Sequence, residues 1–143
     1  MTLCKLLVTY INGRKNKYKI GILAYGSLID DPGYEISDLI IDRIKCVTPF
    51  SIEFARLSSS RDEAPTLVPV ASGGKQVGAI ILVLKEDIPK PVAESLLWNR
   101  ERHKIGSTQT YSRPSNPKKN AILIESLSNY MEVETVLHIL RKR

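Results

Sequence analysis

An apolar stretch of the chain ends abruptly in the residues Tyr25-Gly26-Ser27-Leu28. The run Gly21–Tyr25 before them is typical of a buried strand, and Asp30-Asp-Pro-Gly33 after them is typical of a turn. A glycine lets a ligand approach the main chain without a Cβ in the way. Successive N–H groups at a strand end can then form an anion-binding nest. Residues 25–28 are therefore a candidate backbone anion site, and the alternative is a tight turn in which Ser27 caps the following segment.

A carboxylate that could act as an acid or a base closes the predicted helix over residues 91–101. Glu94, Trp98 and Glu101 recur at helical spacing beside an apolar stripe, so Glu101 is expected to be partly desolvated, which makes a carboxylate a better base. The alternative is a solvated carboxylate at the helix end, paired with a neighbouring arginine or lysine. Glu94 competes for the same role, but a negative charge near a helix N-terminus is stabilised for structural reasons.

Two other chemistries fit the sequence less well. Serine hydrolysis would need the pattern Gly-x-Ser-x-Gly around Ser27, and Ile29 occupies the position of the second glycine. The candidate bases for Ser27 are His103, expected in solvent, and His138, expected in a terminal helix. A phosphate-binding loop would need more glycines and a following lysine.

The length and composition fit one domain spanning residues 1–143. A hydrophobic fraction of 43% and a charged fraction of 25% are typical of globular proteins. No apolar run approaches the roughly 20 residues of a membrane helix, and no signal sequence is recognised, so we expect a cytoplasmic protein. Cys4 and Cys46 match no metal-binding spacing and are expected to be reduced thiols.

The net charge of +6 raises the question of nucleic-acid binding. Residues 1–20 carry five basic and no acidic side chains, whereas residues 21–111 carry ten basic and twelve acidic ones. The positive charge thus lies at the ends of the chain, away from the candidate site, and no aromatic platform accompanies it. The charge distribution argues against a nucleic-acid partner.

Hydrophobic periodicity and turn residues predict an α+β domain with five to seven strands and two or three helices. A bend or edge is expected at Pro49, and a hairpin through Ser72-Gly-Gly-Lys75 should join the strands on either side of it. The predicted strands are 4–11, 18–25, 44–57, 66–71, 76–84, 108–111 and 121–125, and the predicted helices are 35–41, 91–101 and 133–143. The helix 91–101 should bury the stripe Val92, Ala93, Leu96, Leu97 and Arg100.

The order of these segments is more specific than any one of them. In chain order come Tyr25-Gly-Ser-Leu28, Phe54-Ala-Arg-Leu57, Thr66–Val70, Val77-Gly-Ala-Ile80 and Leu97-Trp-Asn-Arg-Glu101. Over about residues 20–112 this succession resembles the gamma-glutamylcyclotransferase-like family. The resemblance implies a small mixed β-barrel with helices packed outside it.

The resemblance also implies roles for the two candidate sites. Residues Tyr25, Gly26, Ser27 and Leu28 would bind the gamma-glutamyl group through main-chain N–H groups, and Glu101 would be the catalytic acid/base. Three positions depart from the family pattern. Leu28 stands where an asparagine is common, Trp98 replaces an aspartate, and Arg102 replaces a glycine.

The activity implied is cyclisation of a gamma-glutamyl amide to 5-oxoproline with release of an amine or amino acid. The only partner implied is this small-molecule substrate, with no cofactor, no metal and no membrane, and a homo-oligomer is compatible with the sequence. The alternative is a protein of the same fold that binds a small ligand or a partner without catalysis. The departures around Glu101 keep that alternative open, and the leaving group is also left open.

Overall fold

The computed structural model describes residues 16–58, 64–70 and 75–141 of the chain. The strand predicted over residues 4–11 and most of the predicted turn over residues 72–75 lie outside these ranges. The rest of the sequence-based predictions can be compared with the structure directly.

The described residues form seven strands, one helix of 4 residues, one helix of 12 residues and one 3₁₀ turn, which confirms the mixed α+β class. The strands are β1 (Tyr18–Ala24), β2 (Ile40–Val47), β3 (Ser51–Ser58), β4 (Ala64–Val70), β5 (Gly78–Leu84), β6 (Ile122–Tyr130) and β7 (Val133–Arg141). The helices are α1 (Tyr34–Ser37) and α2 (Lys90–Glu101), and the 3₁₀ turn is Gly26–Leu28.

Five of the strands form one mixed sheet in the order β2-β5-β1-β7-β6. Strand β1 lies at its centre, antiparallel to β5 and parallel to β7. The buried strand predicted before the Tyr-Gly-Ser segment is therefore confirmed, and it lies at the centre of the sheet with β5 as one of its two neighbours. Strands β2 and β6 form the edges, so the sheet over the described residues is open.

The composition of β1 explains its central position. Ile20 and Ile22 point to one face of the sheet and Leu23 to the other, and all three are buried. A Cβ at Gly21 would lie 2.7 Å from the side chain of Ile81 on β5, so the close approach of the two strands depends on this glycine. The two apolar clusters cover both faces of β1, as expected for a strand in the interior of a sheet.

The bend predicted at Pro49 separates two sheets. Strand β2 ends at Val47, and β3 begins at Ser51 in a two-stranded sheet with β4. The buried Thr48 fixes the corner, because its hydroxyl donates to the carbonyl of Phe50 at 2.7 Å and accepts from the N–H of Val77 at 3.1 Å. The single predicted strand 44–57 is thus two strands.

The hairpin predicted between 66–71 and 76–84 is wrong. Strand β4 pairs with β3, and β5 pairs with β1 and β2. Strand β5 has buried apolar side chains on both faces, and its two partners, β1 and β2, come from much earlier in the chain. The Gly-Gly signal could not show which strands pair.

The C-terminal helix predicted over residues 133–143 is also wrong, because residues 133–141 form strand β7. The helical spacing of the apolar residues Val133, Val136 and Leu137 led to the wrong prediction. In the structure β7 lies between β1 and β6, and these residues are buried on both faces of the sheet. The predicted strand 108–111 is a loop instead, and the helix predicted over 35–41 is the single turn α1.

The helix α2 packs against one face of the five-stranded sheet. Ala93 and Leu97 are fully buried in the same apolar cluster as Ile22 and Leu82. Val92, which the predicted stripe included, is 44% exposed. The other face carries a second cluster around Leu23 and Ile81, against which Phe50 packs just before β3. In the described parts of the chain, no helix is long and apolar enough to cross a membrane.

Candidate functional site

The end of strand β1 turns sharply because of one glycine. Tyr25 has an extended backbone, and Gly26 has a φ of +67°, in the left-handed region that a Cβ disfavours. Gly26 and Ser27 are exposed, whereas Leu28 is buried in the core below the turn. The chain is therefore anchored at Leu28 and open at Gly26 and Ser27.

The backbone hydrogen bonds of this turn use its carbonyl groups. The N–H of Ile29 donates to the carbonyl of Gly26 at 3.2 Å, and the N–H of Asp31 donates to the carbonyl of Ser27 at 3.0 Å. Among the turn and loop bonds of the described residues, none is donated by the N–H groups of residues 26–28. This meets one requirement of an anion site, namely that its N–H groups are not already donated to the backbone of the turn.

The side chain of Ser27 does not cap a backbone N–H in the described structure. Its hydroxyl instead accepts a long hydrogen bond of 3.4 Å from Nη2 of Arg100. This contact disfavours the capped-turn interpretation. It also gives Ser27 a guanidinium neighbour, which cannot act as a base for serine hydrolysis.

Glu101 is the last residue of α2, and its side chain is 19% exposed. Oε2 lies 3.2 Å from Nη1 of Arg100, and Oε1 lies 3.6 Å from Nη2 of Arg141. Glu101 is therefore partly buried, as expected for a carboxylate that acts as a base, and it is also paired with arginine, as expected for the structural alternative. Arg141 was missed as a partner, because its segment was predicted to be a helix and is the end of strand β7.

Arg100 joins Glu101 to the segment that follows β1. Its Nε and Nη2 both donate to the carbonyl oxygen of Asp31, at 2.9 and 2.6 Å. The same guanidinium reaches Ser27 and Glu101, and the side chain is only 12% exposed. One buried cation therefore connects the exposed turn to the carboxylate.

Tyr25 lies within electrostatic range of this carboxylate. Burial raises the pKa of the Tyr25 phenol strongly, and the negative charge of Glu101 raises it further. The phenol is therefore neutral at physiological pH and can donate a hydrogen bond. Its ring meets the ring of Phe50 edge-on, with the ring centroids 6.1 Å apart.

The structure thus brings the two predicted halves of the site together: Tyr25 and Ser27 from the turn, and Glu101 from the helix. The competing carboxylate, Glu94, lies two turns earlier on α2. Among the ion pairs between described residues, none includes Glu94. Of the two carboxylates, Glu101 is the one that shares a contact, Arg100, with Ser27 of the turn.

A polar framework holds the C-terminal end of α2 in place. Asn99, which is 1% exposed, donates to the carbonyl of Gln109 at 2.9 Å and accepts from Nε of Arg102 at 2.8 Å. Arg102 also stacks over the ring of Trp98, 4.1 Å from its centroid. Trp98 and Arg102, two of the three positions that depart from the pattern of the family that the sequence resembles, therefore contact each other.

Tyr111 belongs to the same framework. Its N–H donates to the hydroxyl of Ser95, and its own hydroxyl accepts from the N–H of Ile124 at 3.0 Å. Its ring packs against Trp98. These contacts give Tyr111 a structural role, linking α2 to strand β6.

The histidine expected in a terminal helix, His138, lies instead in strand β7 and is buried on the opposite face of the sheet. His138 is 8% exposed and its ring lies 4.9 Å from that of Phe50. Its Nδ1 is buried and has no hydrogen-bond partner in the described structure. Burial lowers the pKa of His138, with smaller opposing effects from the Ile139 backbone and the charge of Glu125. The strand β7, which was predicted as a helix, gives this residue its position.

Two open grooves, of 290 and 380 Å³, lie at the opposite end of β1, on either side of Tyr18. Tyr18 donates a hydrogen bond to Asp42 between them, and the walls carry charges of both signs. These grooves lie at the N-terminal end of β1, whereas the turn at Gly26 follows the C-terminal end of the same strand. Among the described residues, no cluster of histidine, cysteine or carboxylate side chains could hold a metal ion.

No protein-family model, curated protein or solved structure matches this chain.

Proposed function

We propose that this protein is a gamma-glutamylcyclotransferase-like enzyme, which cyclises a gamma-glutamyl amide to 5-oxoproline and releases an amine or an amino acid. One observation carries the proposal: the guanidinium of Arg100 connects the exposed turn at Ser27 to the partly buried carboxylate of Glu101. The reaction needs main-chain N–H groups that bind an anion and an acid/base, and the two must be close enough to contact the same substrate molecule.

In the proposed reaction the α-amine of the substrate attacks its own γ-carbonyl carbon. A C–N bond forms to close the five-membered ring, and the original amide C–N bond breaks. Glu101 takes one proton from the α-ammonium group before the attack and passes it to the departing nitrogen. The ring nitrogen loses a second proton as the amide C–N bond breaks, and this proton follows the same route, so that the amine leaves as an ammonium group. The reaction changes no oxidation state and consumes no second substrate, so the proposal includes no cofactor.

The turn would bind the negative charges of the substrate. The N–H groups of Gly26, Ser27 and Leu28 would hold either the substrate carboxylate or the oxyanion that develops on the γ-carbonyl oxygen. The neutral phenol of Tyr25 is a further donor beside them. Because both reacting groups belong to one molecule, the main task of the site is to curl the substrate into a near-attack conformation.

The proposal extends to the fold and the cellular setting. In a gamma-glutamylcyclotransferase-like arrangement, the pair β3–β4 would complete a small mixed barrel with the five-stranded sheet, and the helices would pack outside it. The approach of β4 to β7 supports this arrangement. A small-molecule substrate of this kind is also consistent with the cytoplasmic location expected from the sequence.

A second candidate function is binding of a small ligand or a partner without catalysis. The observation that favours it is the pairing of both carboxylate oxygens of Glu101, one with Arg100 and one with Arg141. A carboxylate that faces an arginine with each of its oxygens is also what a purely structural ion-pair cluster would contain, and such a cluster needs no proton transfer.

A substrate screen distinguishes the two functions. The purified full-length protein is incubated with gamma-glutamyl dipeptides and gamma-glutamyl amines, and 5-oxoproline is measured by mass spectrometry. Release by the wild-type protein, and its loss in the Glu101→Gln variant, supports the enzyme. Saturable binding of the same compounds without release of 5-oxoproline supports the non-catalytic alternative.

A further inference from the structure

The guanidinium of Arg100 is surrounded by acceptors from two separate segments. It donates twice to the carbonyl of Asp31, at 2.9 and 2.6 Å, once to Ser27 at 3.4 Å, and once to Glu101 at 3.2 Å. A planar guanidinium with five donors in a fixed fork can satisfy these directions together, whereas a lysine ammonium cannot.

The packing around the stem of Arg100 keeps the guanidinium in this place. Gly33, with a φ of +87°, lies beside this stem: a Cβ there would be in ordinary contact with Cγ of Arg100 at 3.8 Å but would clash with the side chain of Ile105 at 2.5 Å. The side chain is 12% exposed, and its hydrogen bonds are charge-assisted, which makes them stronger than bonds between neutral groups. The contacts therefore fix the position of the turn relative to the end of α2.

We propose that Arg100 is a positioning residue that holds the segment Gly26–Asp31 against Glu101, and so sets the distance between the anion-binding N–H groups and the acid/base. This inference rests on the proposed function. Arg100 acts through its neighbours, because its donors are already directed at Asp31, Ser27 and Glu101.

The first test is a double-mutant cycle on turnover, with Arg100→Gln, Glu101→Gln and the combined variant. Misplacement of reacting groups by about 1 Å can cost about 100-fold in rate, and we expect Arg100→Gln to lose activity on this scale. If Arg100 acts through Glu101, the combined variant falls no more than about threefold below Glu101→Gln alone, since residues that act as a unit are not additive. Losses that multiply would overturn the proposal.

Arg100→Lys provides a second variant in case Arg100→Gln folds poorly. It keeps the charge and loses the fork, so we expect it to restore only part of the activity. Arg113→Gln is the charge control, because Arg113 is half exposed and pairs with Glu125 away from the site. Activity in Arg100→Lys equal to wild type would overturn the requirement for a guanidinium.

The second test does not depend on activity. Hydrogen exchange at the N–H groups of Ile29 and Asp31 reports on the turn directly, because both are bonded within it. We expect faster exchange at both positions in Arg100→Gln and unchanged exchange in Arg113→Gln. Unchanged exchange in Arg100→Gln would overturn the positioning role. If the wild-type protein releases no 5-oxoproline, the proposed function fails, and exchange then decides by itself whether Arg100 holds the turn.

Discussion

The side chains of Glu101 and Arg141 meet where helix α2 and strand β7 both end, with Oε1 of the glutamate 3.6 Å from Nη2 of the arginine. The two residues are far apart in the sequence, and both side chains are less than one-fifth exposed. The contact makes the predicted acid/base part of a charge cluster. It also means that the surroundings of Glu101 are set by three segments: the turn after β1, the helix α2 and the end of β7.

The first prediction concerns the role of Glu101. Glu101→Gln keeps the shape of the side chain but cannot accept a proton, so turnover of a gamma-glutamyl substrate should fall by at least about 100-fold. Glu94→Gln is the matched control, because it removes the same charge from the same helix and should change turnover little. Steady-state kinetics on both variants check this. A Glu94 variant that is inactive, beside an active Glu101 variant, would show that the wrong carboxylate was assigned.

The second prediction concerns the pair between Glu101 and Arg141. The distance of 3.6 Å is long and the pair is partly exposed, so Arg141→Gln should lower the free energy of unfolding by less than about 1 kcal/mol. Urea denaturation followed by circular dichroism measures the change. A loss of more than about 2 kcal/mol would mean that the pair is far better desolvated than its exposure indicates.

The third prediction concerns the turn at Gly26. Its φ of +67° costs a residue with a Cβ about 1–2 kcal/mol, so Gly26→Ala should destabilise the fold by that amount and weaken substrate binding. Gly78→Ala is the control, because a Cβ at Gly78 meets nothing within 4 Å. Thermal unfolding and substrate affinity are measured for both. Equal stability of the two variants would contradict the strained conformation at Gly26.

Elements that depend on neighbouring residues could be predicted from the sequence, whereas the pairing of distant strands could not. The central strand at Gly21, the bend at Pro49 and the helix that ends at Glu101 were predicted because each depends on neighbouring residues. The pairing partners of β5 were not, because a strand that is apolar on both faces does not specify its neighbours. The strand β7 was mistaken for a helix, since its apolar residues fit helical spacing equally well.

The same limit applies to the site. Residues 25–28 and Glu101 could be singled out from residue types and their order. The pairing of Arg141 with Glu101 could not be predicted, and the surroundings of His138 could not either, because both residues were expected in a helix and lie in strand β7. Arg100 was expected only as part of the buried stripe of its helix. Periodicity shows that a residue faces inwards, but it could not show that Arg100 donates to the carbonyl of Asp31.

The last prediction is a pH dependence of stability that comes from His138. Burial lowers its pKa in the folded protein below the ordinary value of 6.5, so the unfolded chain binds a proton more readily than the folded chain. Stability is therefore unaffected well above 6.5, falls as the pH drops below 6.5, and levels off below the folded pKa. Thermal unfolding of the wild type and of His138→Leu, measured between about pH 8 and pH 5, isolates this contribution. Leucine has a similar volume and does not titrate, so the melting temperature of His138→Leu should decline less than that of the wild type over the acid part of the range. Parallel curves for the two proteins would mean that His138 gains a partner when protonated, for example Glu125, whose charge already opposes the effect of burial.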